Sequence, residues 1–372
     1  MIKLLFFADR LRRGGIQTLL LNYTIELLKT KNIKIDLLLF DDGIEYELEQ
    51  TFRDIGCNIY KVAWPQIRQI HLCLRELDSF FKNHHDYNII HAHSSSKALL
   101  PLFYAKKYNI QVRIAHSHST KFQTSNPIKI FIGDIMKLPL RRIANHYFAC
   151  STLAAQWLFG KNLNTKKVYI LNNALNLETF LYNPTTRKEL RDKLGLNENS
   201  IVIGNVSRFT AVKNHHFIID IFQEFHKLNE NSYLVLVGIG ETQQEIIKYV
   251  NELGLQKNVI FAGFRNDTFR FYQAFDLFLM PSLYEGLPFV GIEAQTAGLP
   301  CLFSDTITKE VKILPNVEFL SLNDSPSLWS EKISQLIDQN SRKNLLSEIS
   351  NAGYNIKIEA QKLYQYYLIS SK

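Results

Sequence analysis

The chain has 372 residues, 46% hydrophobic, 12% aromatic and 21% charged, with only 16 Gly and 10 Pro. That composition excludes disorder, collagen-like repeats and coiled coil, and at about 100–200 residues per domain the length predicts two domains, each able to bury a core. The net charge is +8, but residues 1–175 carry +11 and residues 176–372 carry −3, so the first half calls for an anionic partner, either nucleic acid or an acidic membrane surface.

From the N-terminus, 1–9 is too short for a signal peptide and predicts a buried first strand over 2–7. Further strands are expected over 35–40, 58–62, 89–91, 112–115, 147–149 and 168–171, with amphipathic helical stretches such as 16–29 and 72–82 between them. A polar stretch, Asn172-Asn173-Ala174-Leu175-Asn176 and then Asn183-Pro184-Thr185-Thr186, has the composition of a linker. The alternation restarts with strands over 201–206, 234–237, 259–261, 277–280 and 301–303, and 356–369 closes the chain as a helix able to pack on either domain. Strands alternating with helices predict an α/β fold of two Rossmann-like, doubly wound parallel sheets, with ligands at the carboxyl ends of the strands. Cys57, Cys73, Cys150 and Cys301 are scattered without a C-x-x-C pair, which fits a reducing cytoplasm and neither a disulfide framework nor a zinc knuckle. No apolar run reaches the ~18 residues that span a bilayer, so membrane contact is expected to be peripheral.

Arg12-Arg13-Gly14-Gly15 stands between the first strand and a helix, where backbone N–H groups can meet an anion. An ordinary tight turn fits the pair equally well. After 201–206, Arg208 and Lys213 stand at a strand end and a helix start, two cations suited to a diphosphate; two solvated surface charges are the plain alternative. Gly238 and Gly240 end the next strand. In Glu285-Gly286-Leu287-Pro288-Phe289-Val290-Gly291-Ile292-Glu293, two carboxylates stand eight apart, the first in a Gly/Pro loop and the second inside the following helix, and could accept hydrogen bonds from sugar hydroxyls.

R-x4-K, a G-x-G strand end and E-G-L-P-x4-E followed by Ala294-Gln295-Thr296-Ala297-Gly298-Leu299-Pro300 resemble the nucleotide-sugar half of retaining GT-B glycosyltransferases of family 4. Gly14-Gly15, His91-Ala92-His93-Ser94 and Arg113-Ile114-Ala115-His116-Ser117-His118 extend the resemblance to the first half, with bacterial exopolysaccharide and capsule enzymes as the nearest kind. The resemblance implies an acceptor-binding domain over 1–172 joined by a terminal helix at about 354–372, and a donor-binding domain over 173–353. It implies that Arg208 and Lys213 clamp the diphosphate, Glu293 holds the ribose and Glu285 the donor sugar. Gly286, Leu287 and Pro288 would line sugar and phosphate, Gly14, Gly15 and Gly240 would approach the diphosphate, and Phe264, in Gly263-Phe264-Arg265, would edge the base. His116 occupies the position of the family's N-domain histidine, with His118 a close second.

The activity so implied is transfer of a hexosyl or N-acetylhexosaminyl group, with retention, from a nucleotide sugar, a UDP-sugar being the commonest choice, to an undecaprenyl-diphosphate-linked saccharide. No cofactor or metal is expected, and no D-x-D sequence occurs. Residues 127–142 interleave bulky apolar and basic side chains, as either an interfacial helix at the inner face of the cell membrane or a core helix with a solvated basic edge would. Nucleic-acid binding is the rival from another class, but the basic residues are dispersed and no reader motif occurs. Another GT-B-like enzyme, such as a sugar-nucleotide epimerase or a phosphorylase, is the rival within the fold.

Overall fold

The computed structural model describes residues 1–12, 14–122, 124, 126–161, 167–338 and 342–371. It divides into two compact units, Met1–Leu175 with Ile356–Lys372, and Asn176–Asn355. Each is built on a wholly parallel sheet.

In the first unit the strands are β1 (Ile2–Ala8), β2 (Ile33–Asp41), β3 (Ile59–Ala63), β4 (Ile89–Ala92), β5 (Val112–Ser117), β6 (His146–Ala149) and β7 (Val168–Ile170), in the order β3-β2-β1-β4-β5-β6-β7. The register sets Phe6 beside His91 and His91 beside Ile114. In the second unit β8 (Ile201–Val206), β9 (Ser232–Val237), β10 (Val259–Gly263), β11 (Leu277–Met280), β12 (Cys301–Ser304) and β13 (Val317–Leu320) lie in the order β10-β9-β8-β11-β12-β13. Central strands such as β1, β8 and β11 are apolar on both faces because helices cover both sides of the sheet, which is why they read as continuous hydrophobic runs. Each order reverses once, between β1 and β4 and between β8 and β11. At such a fork the connections leave in opposite directions and open a crevice at the carboxyl ends.

Two sequence expectations need correction. Strand β13 was absent from them: its central Glu318 breaks the apolar run and only Val317 is fully buried, as suits the edge of a sheet. The segment 183–186 is no linker but the start of a helix, Pro184–Lys193. The Asn183 side chain accepts from the Thr186 N–H at 2.9 Å and Pro184 occupies the first turn, where its missing N–H costs nothing. Turn-like composition and helix-start composition coincide there.

The terminal helix Ile356–Ser370 belongs to the first unit, packed on helix Gly15–Leu28, and the Ile356 N–H bonds the Leu175 carbonyl at 3.1 Å. In the second unit, helices His215–Leu228 and Pro326–Asp338 cover one face of the sheet, and Trp329, wholly buried, joins Phe222, Ile333 and Leu302 in its core. Truncating such a side chain removes apolar contact and leaves a cavity. Trp329→Ala is expected to cost about 3–5 kcal/mol. Urea unfolding followed by circular dichroism measures it.

Candidate functional site

At the β8/β11 fork, β8 exits through Ser207-Arg208-Phe209-Thr210 into a single 3-10 turn, Ala211–Lys213, and then helix His215–Leu228. Asn214 joins turn to helix at φ +57°, a left-handed conformation that asparagine tolerates well. The exit loop of β8 is zipped to that of β9. Ser207 N–H donates to the Val237 carbonyl (3.0 Å), Phe209 N–H to Ile239 (3.1 Å) and Thr242 N–H to Phe209 (3.2 Å). This contact accounts for the G-x-G: a Cβ on Gly238 would strike the Ser207 carbonyl, and one on Gly240 the Phe209 carbonyl. Gly238 also has φ +140°. The glycines thus let two backbones touch, and that contact fixes the loop carrying Arg208.

A second set of bonds joins β8 to β11. Asn205 Nδ2 donates to the Leu279 carbonyl (2.8 Å), Asn214 Nδ2 to Pro281 (3.2 Å) and Leu283 N–H to Val212 (2.8 Å). Together they bring the Lys213 ammonium onto the Glu285 carboxylate, an ion pair between side chains only 20% and 17% exposed. Arg208 is exposed beside it in sequence. Leu287 and Pro288 are buried and lead into helix Phe289–Thr296. From that helix Glu293 accepts a hydrogen bond from the hydroxyl of buried Tyr272 at 2.6 Å. Burial pushes the Glu293 carboxyl up to about 7, partly offset by the Tyr272 bond. Phe264, half exposed, follows β10, and Arg265 beside it is held bidentately by Asp267 at 2.8 Å. Arg208, Lys213, Gly240, Phe264, Glu285, Gly286, Leu287, Pro288 and Glu293 therefore all lie on the carboxyl-end loops and helix starts of one sheet, with two helix N-termini among them.

Two supporting groups here carry no local sequence signal. Tyr272 orients Glu293 from 21 residues away. His215 stacks on Phe209 with ring centroids 4.1 Å apart and meets the Ser207 hydroxyl at 3.2 Å; burial lowers it to about 4, so it serves as a neutral support.

In the first unit, Gly14 and Gly15 start the helix that follows β1, and the Gly14 carbonyl takes the Thr18 N–H at 2.9 Å. Arg13 of that motif lies outside the described residues. Beyond the β1/β4 fork four histidines stack at the ends of β4 and β5. His91 Nε2 and His116 Nδ1 are hydrogen-bonded at 3.0 Å, His93 Nδ1 and His118 Nε2 at 2.9 Å, and the rings of His116 and His118 are 3.9 Å apart. The His91 Nδ1 meets the Tyr367 hydroxyl at 2.7 Å, a partner 276 positions away on the terminal helix that no local pattern announces. Burial lowers all four, His118 to about 3, so every ring is neutral at pH 7. Of the two candidates, His116 is completely buried and His118 stands partly exposed at the stack's edge.

Two expectations follow for the second unit. Gly240→Ala should separate the β8 and β9 exit loops at a cost of about 1–3 kcal/mol, read from chemical unfolding. Glu293 carries a folded-state pKa raised from 4.5 to about 7, so the native state binds the extra proton and loses stability as pH rises across that window. Glu293→Gln should flatten that decline in a melting series from pH 4.5 to 7.5.

The model of a family described as glycosyl transferases group 1 matches residues 186–355. The chain is 30% identical, over its full length and 97% of the relative, to the putative glycosyltransferase EpsF of Bacillus subtilis. It is 26% identical to the UDP-Gal:alpha-D-GlcNAc-diphosphoundecaprenol alpha-1,3-galactosyltransferase of Escherichia coli, across 76% of this chain and 75% of that one. The crystal structure of Anabaena HepE in complex with UDP and glucose superposes with a TM-score of 0.81 at 18% identity, covering 98% and 99% of the two chains. That likeness establishes the GT-B fold.

Proposed function

Because the chain belongs to the glycosyl transferases group 1 family, and is thereby a glycosyltransferase, we propose that it moves a sugar, with retention, from a UDP-sugar to a lipid-diphosphate-linked saccharide during exopolysaccharide or capsule assembly. The observation that carries this reading is the ion pair of Lys213 with Glu285 at the β8/β11 fork, with Glu293 on the helix that leaves the β11 exit. A relative that uses UDP-galactose and a diphosphoundecaprenol-linked sugar, and the UDP and glucose bound by a protein of the same fold, support the donor and acceptor classes.

In the proposed step the anomeric C–O bond to the diphosphate breaks while the acceptor oxygen bonds to the same face, and the acceptor proton passes to the departing phosphate oxygen. Negative charge builds on that phosphate. Arg208, Lys213 and the N-terminal amides of helices His215–Leu228 and Phe289–Thr296 are fixed where they can meet it, which supplies by protein cations what a divalent metal would otherwise supply. Glu285, already neutralising Lys213, is poised to exchange part of that pairing for sugar hydroxyls. Glu293 accepts from ribose hydroxyls through its carboxylate, with Tyr272 holding one oxygen. Gly14, Gly15 and a first-unit histidine, His116 or His118, complete the proposed donor contacts.

The first unit carries 27 basic and 14 acidic side chains, a net of +13, against −5 on the second. Its helix Pro127–Ile143 buries only Gly133 and Leu140 and runs through Pro139. Ile128, Phe131, Ile132, Ile135 and Leu138 are exposed, up to 70%, and their spacing puts them on one face, with Lys129 and Arg142 exposed on the same helix. An outward apolar stripe with cations suits the headgroup region of an anionic bilayer and supports the interfacial alternative over the core helix. No helix among the described residues is long and apolar enough to cross a membrane. We place the enzyme at the inner face of the cell membrane, where a lipid-linked acceptor is met.

Lys213→Ala should lower kcat by about 10²–10³-fold with the fold intact, as loss of one well-placed donor to a developing anion does; near-normal transfer would refute the site. UDP affinity should rise as pH passes upward through about 7 and become flat in Glu293→Gln, measured by calorimetry. Vesicles rich in anionic lipid should float the protein at low salt, and Phe131→Glu with Ile135→Glu should abolish flotation without changing the melting temperature.

A further inference from the structure

The histidine stack offers more than a support for one ligand contact. His91, His93 and His116 each present a ring nitrogen, all within 4.8 Å of one another. His93 and His116 are 3% and 0% exposed, yet His93 Nε2 and His116 Nε2 are buried without a hydrogen-bond partner. Leaving a buried imidazole nitrogen unpaired is costly, and two such atoms in one cluster are seldom without purpose.

One set of tautomers satisfies every other contact. If His116 Nδ1–H donates to His91 Nε2 and His91 Nδ1–H donates to the Tyr367 oxygen, His116 Nε2 is left as a bare lone pair. If His93 Nδ1–H donates to His118 Nε2, His93 Nε2 is bare as well. Two ligating rings would then each have the opposite nitrogen tied by a hydrogen bond, which is how proteins orient histidine toward a metal. His91 supplies the third imidazole on exchanging its contact with His116 for the cation; in the metal-bound state the rings of His91 and His93 are held by Tyr367 and His118, and the His116 Nδ1–H gives up its acceptor.

We propose that His91, His93 and His116 form a binding site for a borderline divalent transition-metal ion, Zn2+ in the first instance, in the first unit. Neutral imidazoles without carboxylates select such ions over Mg2+ or Ca2+, which require oxygen ligands. Three histidines match the number of protein ligands in a zinc site that takes its fourth ligand from water or another group. The metal site leaves the charge of the proposed transfer step to Arg208 and Lys213, and with His116 on the metal His118 is the first-unit histidine left for the donor contact. The site's structural consequence runs through Tyr367: a metal on the stack would tie the ends of β4 and β5 to the terminal helix.

Tag-free protein, stripped with chelator, is titrated with Co2+ as a spectroscopic stand-in and then with Zn2+. One equivalent of Co2+ should give the intense visible absorption of a low-coordinate site, one equivalent of Zn2+ should bleach it, and the melting temperature should rise with Zn2+ concentration. His93→Ala and His116→Ala should each lose the absorption, and His85→Ala, at the surface, should keep it. Absence of a stoichiometric Co2+ spectrum, or an unchanged spectrum in His93→Ala, would overturn the proposal. Should the variants fail to fold, zinc K-edge absorption of the unaltered protein decides: a shell of three imidazoles sustains the site and a shell without them removes it.

Discussion

Polar chemistry in this molecule is confined by the burial of its parallel sheets. Strands such as β1, β4, β8 and β11 are covered by helices on both faces, so their sides are mainly apolar, uncharged polar groups such as His91 and Asn205 are hydrogen-bonded, and a charged group can be held cheaply only where the strand stops. Parallel connections make one end of the sheet unlike the other, and the carboxyl ends collect helix N-termini with unpaired N–H groups. Every residue assigned to the donor in the second unit sits on such an exit loop or helix start. The fork between β8 and β11 matters most, because there the chain leaves in opposite directions and cation and carboxylate can approach from two loops.

Backbone contacts keep those loops in place. The close approach of 207–209 to 238–242 admits no Cβ at Gly238 or Gly240, and amide side chains of Asn205 and Asn214 tie the β8 exit to β11. In the proposed step, such preorganisation would lower the cost of assembling charges around a leaving diphosphate. Tyr272 and His215 act behind this layer: one aims Glu293, the other braces Phe209 as an uncharged ring. Burial raises the Glu293 carboxyl, so a group placed there to meet hydroxyls, as proposed, would also be reluctant to ionise.

Much of this was legible in the sequence because it rests on local pattern. Doubly buried strands write continuous apolar runs, and R-x4-K, G-x-G and E-x7-E each stand at a strand exit. Edge strand β13 was not legible, since Glu318 interrupts it, and Asn183-Pro184 looks the same as a linker or as a helix start. Contacts between distant segments left no local trace: the meeting of Lys213 with Glu285 spans 72 positions and that of His91 with Tyr367 spans 276. The histidine pairs H-x-H at 91/93 and 116/118 were visible, but only parallel pairing of β4 with β5 stacks them into one cluster.

The central claim is that the second unit holds the nucleotide, mainly through the exit loops of β8, β9 and β11. Hydrogen–deuterium exchange with and without UDP tests it most directly. The account predicts slower exchange confined mainly to 207–215, 238–242 and 283–293, with β12 and β13 unchanged. Protection absent from those three segments, at UDP concentrations that saturate binding, would contradict it.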